Sequence, residues 1–410
     1  MSLIESERPF QVEVRSVDGG YSLFRDGKPF FVKGAGGFKH IDRLAEFGGN
    51  SVRTWGAEQT DEALADIGRV GLSLCAGLWL VPPRQGFDYA DSQARAIQFE
   101  ELKRQVLKLK DEPALLVWGV GNELDLGGVA DESVWEAVEE VAAFIKQVDP
   151  FHPVMTVLSS VDKAALSRIE AICPSIDFVS VNAYGDLELV QPKLDAAGWT
   201  RPYLVTEWGA NGHWEVACTK WEAEIEPTST EKAEQIRRRY RSLDGSHGQC
   251  LGSYVFLWGN KQETTPTWFG LFSPSGRTTE AVEAMGALWK GEAEMGKCPQ
   301  ISSLRLNGRL ANESLSVRVG ERVSAEFSVI RGNPAPKDVL WTCSRESVDK
   351  RSGGDAELAA ASVLVDIERK SIGEVSFLAP TEGGFFRLYL EVLGPNNTVA
   401  TANFPFRVVI

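Results

Sequence analysis

Two hydrophobic periods divide this chain. Up to Trp289, short unbroken apolar runs alternate with stretches whose apolar residues recur every three or four positions. The runs fall at 30–34, 51–55, 72–80, 114–119, 154–158, 178–182, 203–206 and 253–257, and the periodic stretches include 101–110, 134–148, 163–172, 231–243 and 279–289. Runs this short without polar alternation predict strands covered on both faces, and a helix after each makes the sheet parallel. Ahead of them, 12–33 predicts a β-hairpin lead-in, with turns at Asp18-Gly19-Gly20 and Asp26-Gly27-Lys28. Beyond Cys298 the period falls to two. Strands are predicted there at 301–306, 314–319, 322–329, 339–341, 374–377, 385–393 and 398–409.

Eight strand–helix units in about 290 residues are the count and length of a (β/α)8 barrel. Seven short alternating strands in the remainder predict an immunoglobulin-like or fibronectin-like sandwich. The expected fold class is therefore α/β, a TIM barrel with its lead-in at 1–297 followed by an all-β sandwich at 298–410. A doubly wound sheet would need a phosphate-binding turn after its first strand. Gly34-Ala35-Gly36-Gly37 has the wrong spacing, and no acidic residue ends the second strand, so these glycines are expected to serve close backbone packing.

Composition narrows the partners. The chain has 43 Lys and Arg against 57 Asp and Glu, a net charge of −14. Residues 298–410 carry 13 of each sign, so the whole excess of acid lies in the predicted barrel, as do eleven of the 12 Trp. Such acidity argues against nucleic acid and anionic membrane surfaces. No apolar run approaches the ~20 residues of a membrane span. Six Cys without a CxxC and four His without an HExxH predict neither a metal site nor a cofactor. Arg237-Arg238-Arg239 with Arg241, the one basic run, is expected to form a solvated helix face. The opening Met1-Ser2-Leu3-Ile4-Glu5 lacks the signal-peptide pattern, which leaves a cytoplasmic protein or one whose signal has been removed.

Active sites of such barrels lie where the strands end. The fourth predicted strand runs into Gly121-Asn122-Glu123 and the seventh into Glu207-Trp208-Gly209. Two carboxyls on one rim are what glycosidic cleavage requires: a protonated acid for the leaving oxygen, and an anion that attacks or activates water. The competing reading makes both of them helix-start acids beside a dipole.

Asn122-Glu123 after strand four, Glu207 after strand seven and an aromatic ending strand eight resemble the retaining glycoside hydrolases of clan A, and most nearly the barrel of glycoside hydrolase family 2. The stretch from Phe24 to Gly34 is similar to that family's entry into strand one, and Gly49-Asn50-Ser51-Val52-Arg53-Thr54-Trp55 to its second strand. The resemblance covers roughly 12–290 and implies roles residue by residue. Glu123 would be the general acid/base and Glu207 the nucleophile. Asn122 would bind the sugar 2-hydroxyl, Arg53 would keep Glu207 ionised, Tyr184 would orient it, and Trp258 would form the floor beneath the cleaved sugar. The chain departs from the family in having no β-sandwich before the barrel and no counterpart of the galactosidase metal ligands. The family's galactosidase and glucuronidase specificities are therefore not carried over.

The loops after strands seven and eight hold Trp214, Trp221, Trp268, Glu215, Glu222 and Glu263, with His40 past strand one. Indoles stack on the apolar face of pyranose rings, while carboxylates and amides take the hydroxyls, so these residues are candidates for substrate binding. Packing of the loops is the alternative for each Trp. Together these features predict a retaining glycosidase acting on a neutral, β-linked, glucan-like oligo- or polysaccharide, with the two carboxyls about 5–5.5 Å apart. Transglycosylation on the same site and a catalytically silent carbohydrate-binding protein remain open. A polymer substrate favours a secreted or periplasmic location over a cytoplasmic one. The sequence leaves the oligomeric state open.

Overall fold

The computed structural model describes residues 11–128, 131–243 and 248–410; the opening Met1-Ser2-Leu3-Ile4-Glu5 lies outside the described residues. The chain divides into two compact units, Met1–Trp208 with Arg241–Trp258 and Gly209–Tyr240 with Gly259–Ile410.

The first unit opens with β1 (Val12–Val17), β2 (Gly20–Arg25) and β3 (Lys28–Phe30). They pair in chain order as an antiparallel sheet. Both predicted turns exist, but the lead-in is a three-stranded meander rather than a hairpin, because the second turn leads into enough chain to pair again. Val12 and Leu23 point into a core shared with Val32, Leu116, Met155, Phe178 and Leu251, so the lead-in closes one end of the barrel.

The barrel itself is closed and parallel, built from β4 (Val32–Gly36), β5 (Ser51–Arg53), β6 (Ser73–Leu78), β7 (Leu115–Val120), β8 (Val154–Leu158), β9 (Phe178–Asn182), β10 (Tyr203–Trp208) and β11 (Cys250–Val255). Pairing of Tyr254 with Gly34 closes it. Every residue of β5 to β11 is buried, the reason these strands read as unbroken apolar runs. Helices α1 (Ile41–Glu46), α2 (Ala57–Val70), α3 (Ser92–Leu109), α4 (Glu132–Val148), α5 (Lys163–Ile172), α6 (Val190–Ala197), α7 (Ser229–Leu243) and α8 (Glu280–Lys290) alternate with the strands in sequence. Asp91 and Asp162 cap α3 and α5 by accepting from backbone N–H groups of the first turn. The glycines of β4 permit a close approach. A Cβ on Gly34 would lie 2.3 Å from the Tyr254 ring, and one on Gly36 3.0 Å from the Trp55 ring.

The second unit holds two facing sheets. One orders Arg305–Leu306, Arg322–Glu326, Glu374–Leu378 and Ile367–Arg369; the other orders Ser316–Arg318, Thr398–Val409, Gly384–Gly394, Val339–Arg345 and Ser362–Val363. Leu306, Val323, Val375 and Phe377 of the first share a core with Leu388, Leu390, Phe404 and Phe406 of the second, which makes a sandwich. The run at 301–306 is not one strand: Gln300–Ile301 and Arg305–Leu306 pair in different sheets. The strands Ser362–Val363 and Ile367–Arg369 escaped the sequence pattern because they are two and three residues long and mostly exposed or half-buried.

Segments following β10 and β11 belong to this second unit, and one carboxylate ties them to the sandwich. Buried Glu226 accepts from Lys232 of α7 at 2.5 Å and from the Thr267 hydroxyl at 2.9 Å through Oε1. Its Oε2 accepts from the Thr265 hydroxyl and from Asn403 of the sandwich, both at 2.5 Å. Asn403 in turn accepts from Arg387, a fully buried guanidinium paired with Glu346. The basic run is a solvated face only in part, with Arg238 and Arg241 exposed. Arg239 is buried and donates to the Gly209 carbonyl at 2.7 Å, and Arg237 bridges Glu280 and Glu294, because buried acceptors lie within reach of both.

A satisfied buried charge left alone is costly, about 3–5 kcal/mol when one partner is removed. Glu226→Ala is therefore expected to lower unfolding free energy by that amount in a denaturant titration followed by tryptophan fluorescence. A loss below about 1 kcal/mol, the range of an exposed pair, would show that the network does not hold the unit together.

Candidate active site

The first unit gathers five predicted site residues around two carboxyls. β10 carries Glu207 to its end, and the residue is 7% exposed. Arg53, the last residue of β5, is 2% exposed and donates from Nη1 to Glu207 Oε1 at 2.8 Å and to the Thr206 carbonyl at 2.9 Å. Its Nη2 donates to Asn122 Oδ1 at 2.6 Å. Trp55 stands two residues beyond Arg53 on the same face of the strand path. Its indole N–H also reaches Glu207 Oε1, at 2.9 Å, while the Arg53 guanidinium lies 4.8 Å from its ring centroid. Tyr184 donates its phenol to the other oxygen, Oε2, at 3.0 Å. Three donors thus converge on one carboxylate.

Glu123 is set differently. The chain leaves β7 through Gly121 at φ 74° and Glu123 itself at φ 50°, a left-handed conformation that costs a non-glycine residue about 1–2 kcal/mol. The Glu123 N–H donates to the Val157 carbonyl of β8 at 3.0 Å, which pins the turn. Its Oε1 accepts from Asn182 Nδ2 at 2.8 Å, and Arg84 lies against its carbonyl at 3.4 Å. Burial first, then the charge of Glu207, push the Glu123 carboxyl up to about 7, against the opposing Asn182 hydrogen bond. Up to about pH 7 the Glu123 carboxyl therefore retains its proton, beside a second carboxyl that accepts three hydrogen bonds. This is the asymmetry that acid-assisted displacement uses.

Sequence reasoning assigned no role to Trp55, Asn182 or Phe256. The Phe256 ring meets those of Trp55 at 5.8 Å and Tyr184 at 6.1 Å, both edge to face. Alternation was the available signal. Tyr254 points to the Ser51 hydroxyl inside the barrel, so Phe256 shares its face, just as Asn182 shares that of Tyr184. Trp258, the expected floor, is fully buried. Its indole donates to the His40 carbonyl at 3.1 Å, and it has no open face for a sugar. His40 is exposed at φ 53°, ahead of α1, and contributes that carbonyl. Trp118 and Trp208 are also core residues, Trp118 through a buried bond to Asp149 at 2.8 Å.

The remaining candidates lie in the second unit. Trp214 is 59% exposed. Its indole lies over Gly212, where a Cβ would stand 2.5 Å from the ring, and His213 meets it edge-on at 4.9 Å. Trp268 is instead buried, donating to the Asn211 carbonyl at 3.0 Å, and Trp221 stacks on Phe385 of the sandwich at 6.0 Å. Both corrections have one cause: apolar surface in these loops finds a protein partner first. Glu263 is buried between Lys261 at 2.8 Å and His213 at 3.6 Å, and Glu215 accepts from the Gly212 N–H. Glu222 is exposed. Among the described residues no disulfide joins any of the six cysteines. Among the described residues no cluster of His, Cys, Asp or Glu is arranged to hold a metal, and no helix is long and apolar enough to cross a membrane.

A closed parallel barrel bearing paired carboxyls at the ends of its fourth and seventh strands is the framework of a glycoside hydrolase. Residues 77–217 match the model of the glycosyl hydrolases family 2 TIM barrel domain. A mouse β-glucuronidase is 27% identical over 213 residues, 45% of this chain and 32% of the mouse protein. A β-D-glucuronidase structure from Dictyoglomus thermophilum superposes with a TM-score of 0.52 at 18% identity, covering 69% of this chain and 54% of that one. A Bacteroides uniformis β-glucuronidase covers 97% of this chain and 48% of its own, with a TM-score of 0.51 at 14% identity. The chain thus spans about half the length of these structures, and the likeness to them is one of fold.

Stability carries the signature of Glu123. The folded carboxyl holds its proton up to about 7, whereas the ordinary value is 4.5. Between those values the folded chain binds more protons than the unfolded one, so this group's contribution becomes less favourable as pH rises. Glu123→Gln is expected to be more stable than the parent by about 1–3 kcal/mol at pH 8 and nearly equal at pH 4. Thermal melts at the two pH values check it. A difference that does not change with pH would contradict the assigned protonation.

Proposed function

We propose that the barrel hydrolyses β-glycosidic bonds with retention of configuration, through a covalent glycosyl-enzyme. The observation that supports this most is the contrast between the two carboxyls: Glu207 meets Arg53, Trp55 and Tyr184, while Glu123 is driven towards neutrality. In the first step a Glu207 oxygen bonds to the anomeric carbon as the glycosidic C–O bond breaks. The Glu123 proton passes to the departing oxygen. In the second, the Glu123 carboxylate takes a proton from water, whose oxygen bonds to the anomeric carbon and releases Glu207. Arg53 fixes the Asn122 amide with its oxygen inward, which leaves Asn122 Nδ2 to donate to the sugar 2-hydroxyl. Phe256 and Trp55 offer apolar surface at the same place.

A neutral glucan-like substrate accords with the net charge of −14 and with Arg53 being already engaged by three acceptors. A β-glucuronide is the second reading, favoured by the names of the relatives. Its carboxylate would need a cation near Glu123, and Arg84 is placed for that. Export is the proposed location, on the ground that polymeric glycans lie outside cells.

A 2-deoxy-2-fluoro glycoside with a good leaving group, tried across glucosyl, galactosyl, mannosyl and glucuronyl forms, is expected to leave one adduct on Glu207, located by peptide mass spectrometry. No adduct in any form, with Glu207→Ala keeping more than about 1 part in 10⁴ of the activity, would refute the mechanism. The sugar that labels identifies the substrate class, and Arg84→Gln should abolish labelling only if that sugar is a uronide.

The pH dependence derives from Glu123. Plotted against pH, kcat/KM is expected to fall on its alkaline side with a midpoint near 7, because the acid must be protonated to act. Glu123→Gln should flatten that limb for a substrate whose leaving group needs no protonation.

A further inference from the structure

Asn182 ends β9, bonded to both carboxyl-bearing segments, and the double displacement gives it no part. We propose that Asn182 is a positioning residue that dictates which oxygen of Glu123 carries the acidic proton. This rests on the reading of Glu123 as the acid.

The geometry sets a one-way chain of donors. The Arg53 guanidinium has no acceptor, so the Asn122 atom 2.6 Å from its Nη2 is a carbonyl oxygen. Asn182 faces that oxygen at 3.4 Å and Glu123 Oε1 at 2.8 Å. Both accept, so Asn182 turns Nδ2 to them and its own Oδ1 the other way. There Thr206, the residue before Glu207, donates its hydroxyl at 2.8 Å. Each orientation is forced by the one before it, and the first cannot reverse. Glu123 Oε1 therefore always receives a hydrogen, and the acidic proton resides on Oε2. Without Asn182 the proton would divide between two oxygens, and only one of them can face a leaving group.

The charged groups around Glu123 are Glu207 of β10, Asp125 of its own turn and Arg84 beyond β6. Arg84 reaches the Glu123 backbone carbonyl and not its carboxyl. Among the described residues Asn182 alone donates to a Glu123 carboxyl oxygen, and because its N–H favours the ionised form it opposes the rise caused by burial and Glu207.

The test uses the full chain with carboxyl-¹³C-labelled glutamate, the Glu123 signal being identified by its absence in Glu123→Gln. Asn182→Ala is expected to move the Glu123 titration midpoint upward by about 1 pH unit. Asn182→Leu keeps the side-chain volume but has no N–H to donate, and should move it the same way. With aryl glycosides, Asn182→Ala should lose at least about 10-fold more kcat/KM on a poor phenol leaving group than on a dinitrophenol, which needs no acid. Midpoints unmoved in both variants, with equal losses on both leaving groups, would overturn the proposal. If Asn182→Ala does not fold, Asn182→Leu alone decides through its midpoint. A parent protein that cleaves no glycoside would defeat the proposed function, while the titrations would still decide whether Asn182 places the proton.

Discussion

The buried guanidinium of Arg53 is the constraint around which this barrel mouth is built. A cation 2% exposed must find acceptors on every side, because burying an unpaired charge costs several kcal/mol. Its acceptors come from three different positions at two strand ends: Glu207 and the Thr206 carbonyl on β10, and Asn122 after β7. Glu207 and Asn122 are also the groups proposed to meet a substrate. Folding of the barrel and assembly of its site are thus one electrostatic problem, solved once. The indole of Trp55 completes the solution by covering the guanidinium and sharing its carboxylate.

The two carboxyls differ because their backbones do. Glu207 remains within β10, just past a register shift after Val205, and Asn182 stands opposite it on β9. Glu123 lies past the end of its strand in a left-handed turn, held by a single backbone bond to β8, and its side chain meets one amide instead of three donors. A fourth strand that stops early and a seventh that runs on are enough to separate an acceptor from a proton holder. Burial and the like charge of Glu207 supply that division of roles.

Much of this was legible in the sequence, for identifiable reasons. Buried parallel strands leave unbroken apolar runs, so 154–158 and 178–182 coincide with β8 and β9 to the residue. Strand ends on a barrel point to one rim, which brought out Glu123 and Glu207, and the family resemblance added Arg53, Asn122 and Tyr184. What stayed hidden depends on direction rather than on position. Nothing in the composition around Trp258, Trp268 and Trp214 distinguishes them, yet the first two face inward and the third outward, according to which backbone carbonyl or glycine lies opposite. For Asn182 and Phe256, alternation with Tyr184 and Tyr254 gives the face but not what each side chain meets there.

The sandwich illustrates how far a residue's role is fixed by what it is attached to. Read as chain order, residues 298–410 are an appendage to a finished barrel. In the structure, the sandwich forms one compact unit with the segments after β10 and β11, and Glu226 is shared between them. Those segments hold Trp214, the most exposed of the candidate tryptophans, and they also hold Trp221, which stacks on a sandwich phenylalanine. A loop anchored at Glu226 and Trp221 keeps fewer conformations open to its remaining residues, so an indole at position 214 can be presented outward at less entropic cost.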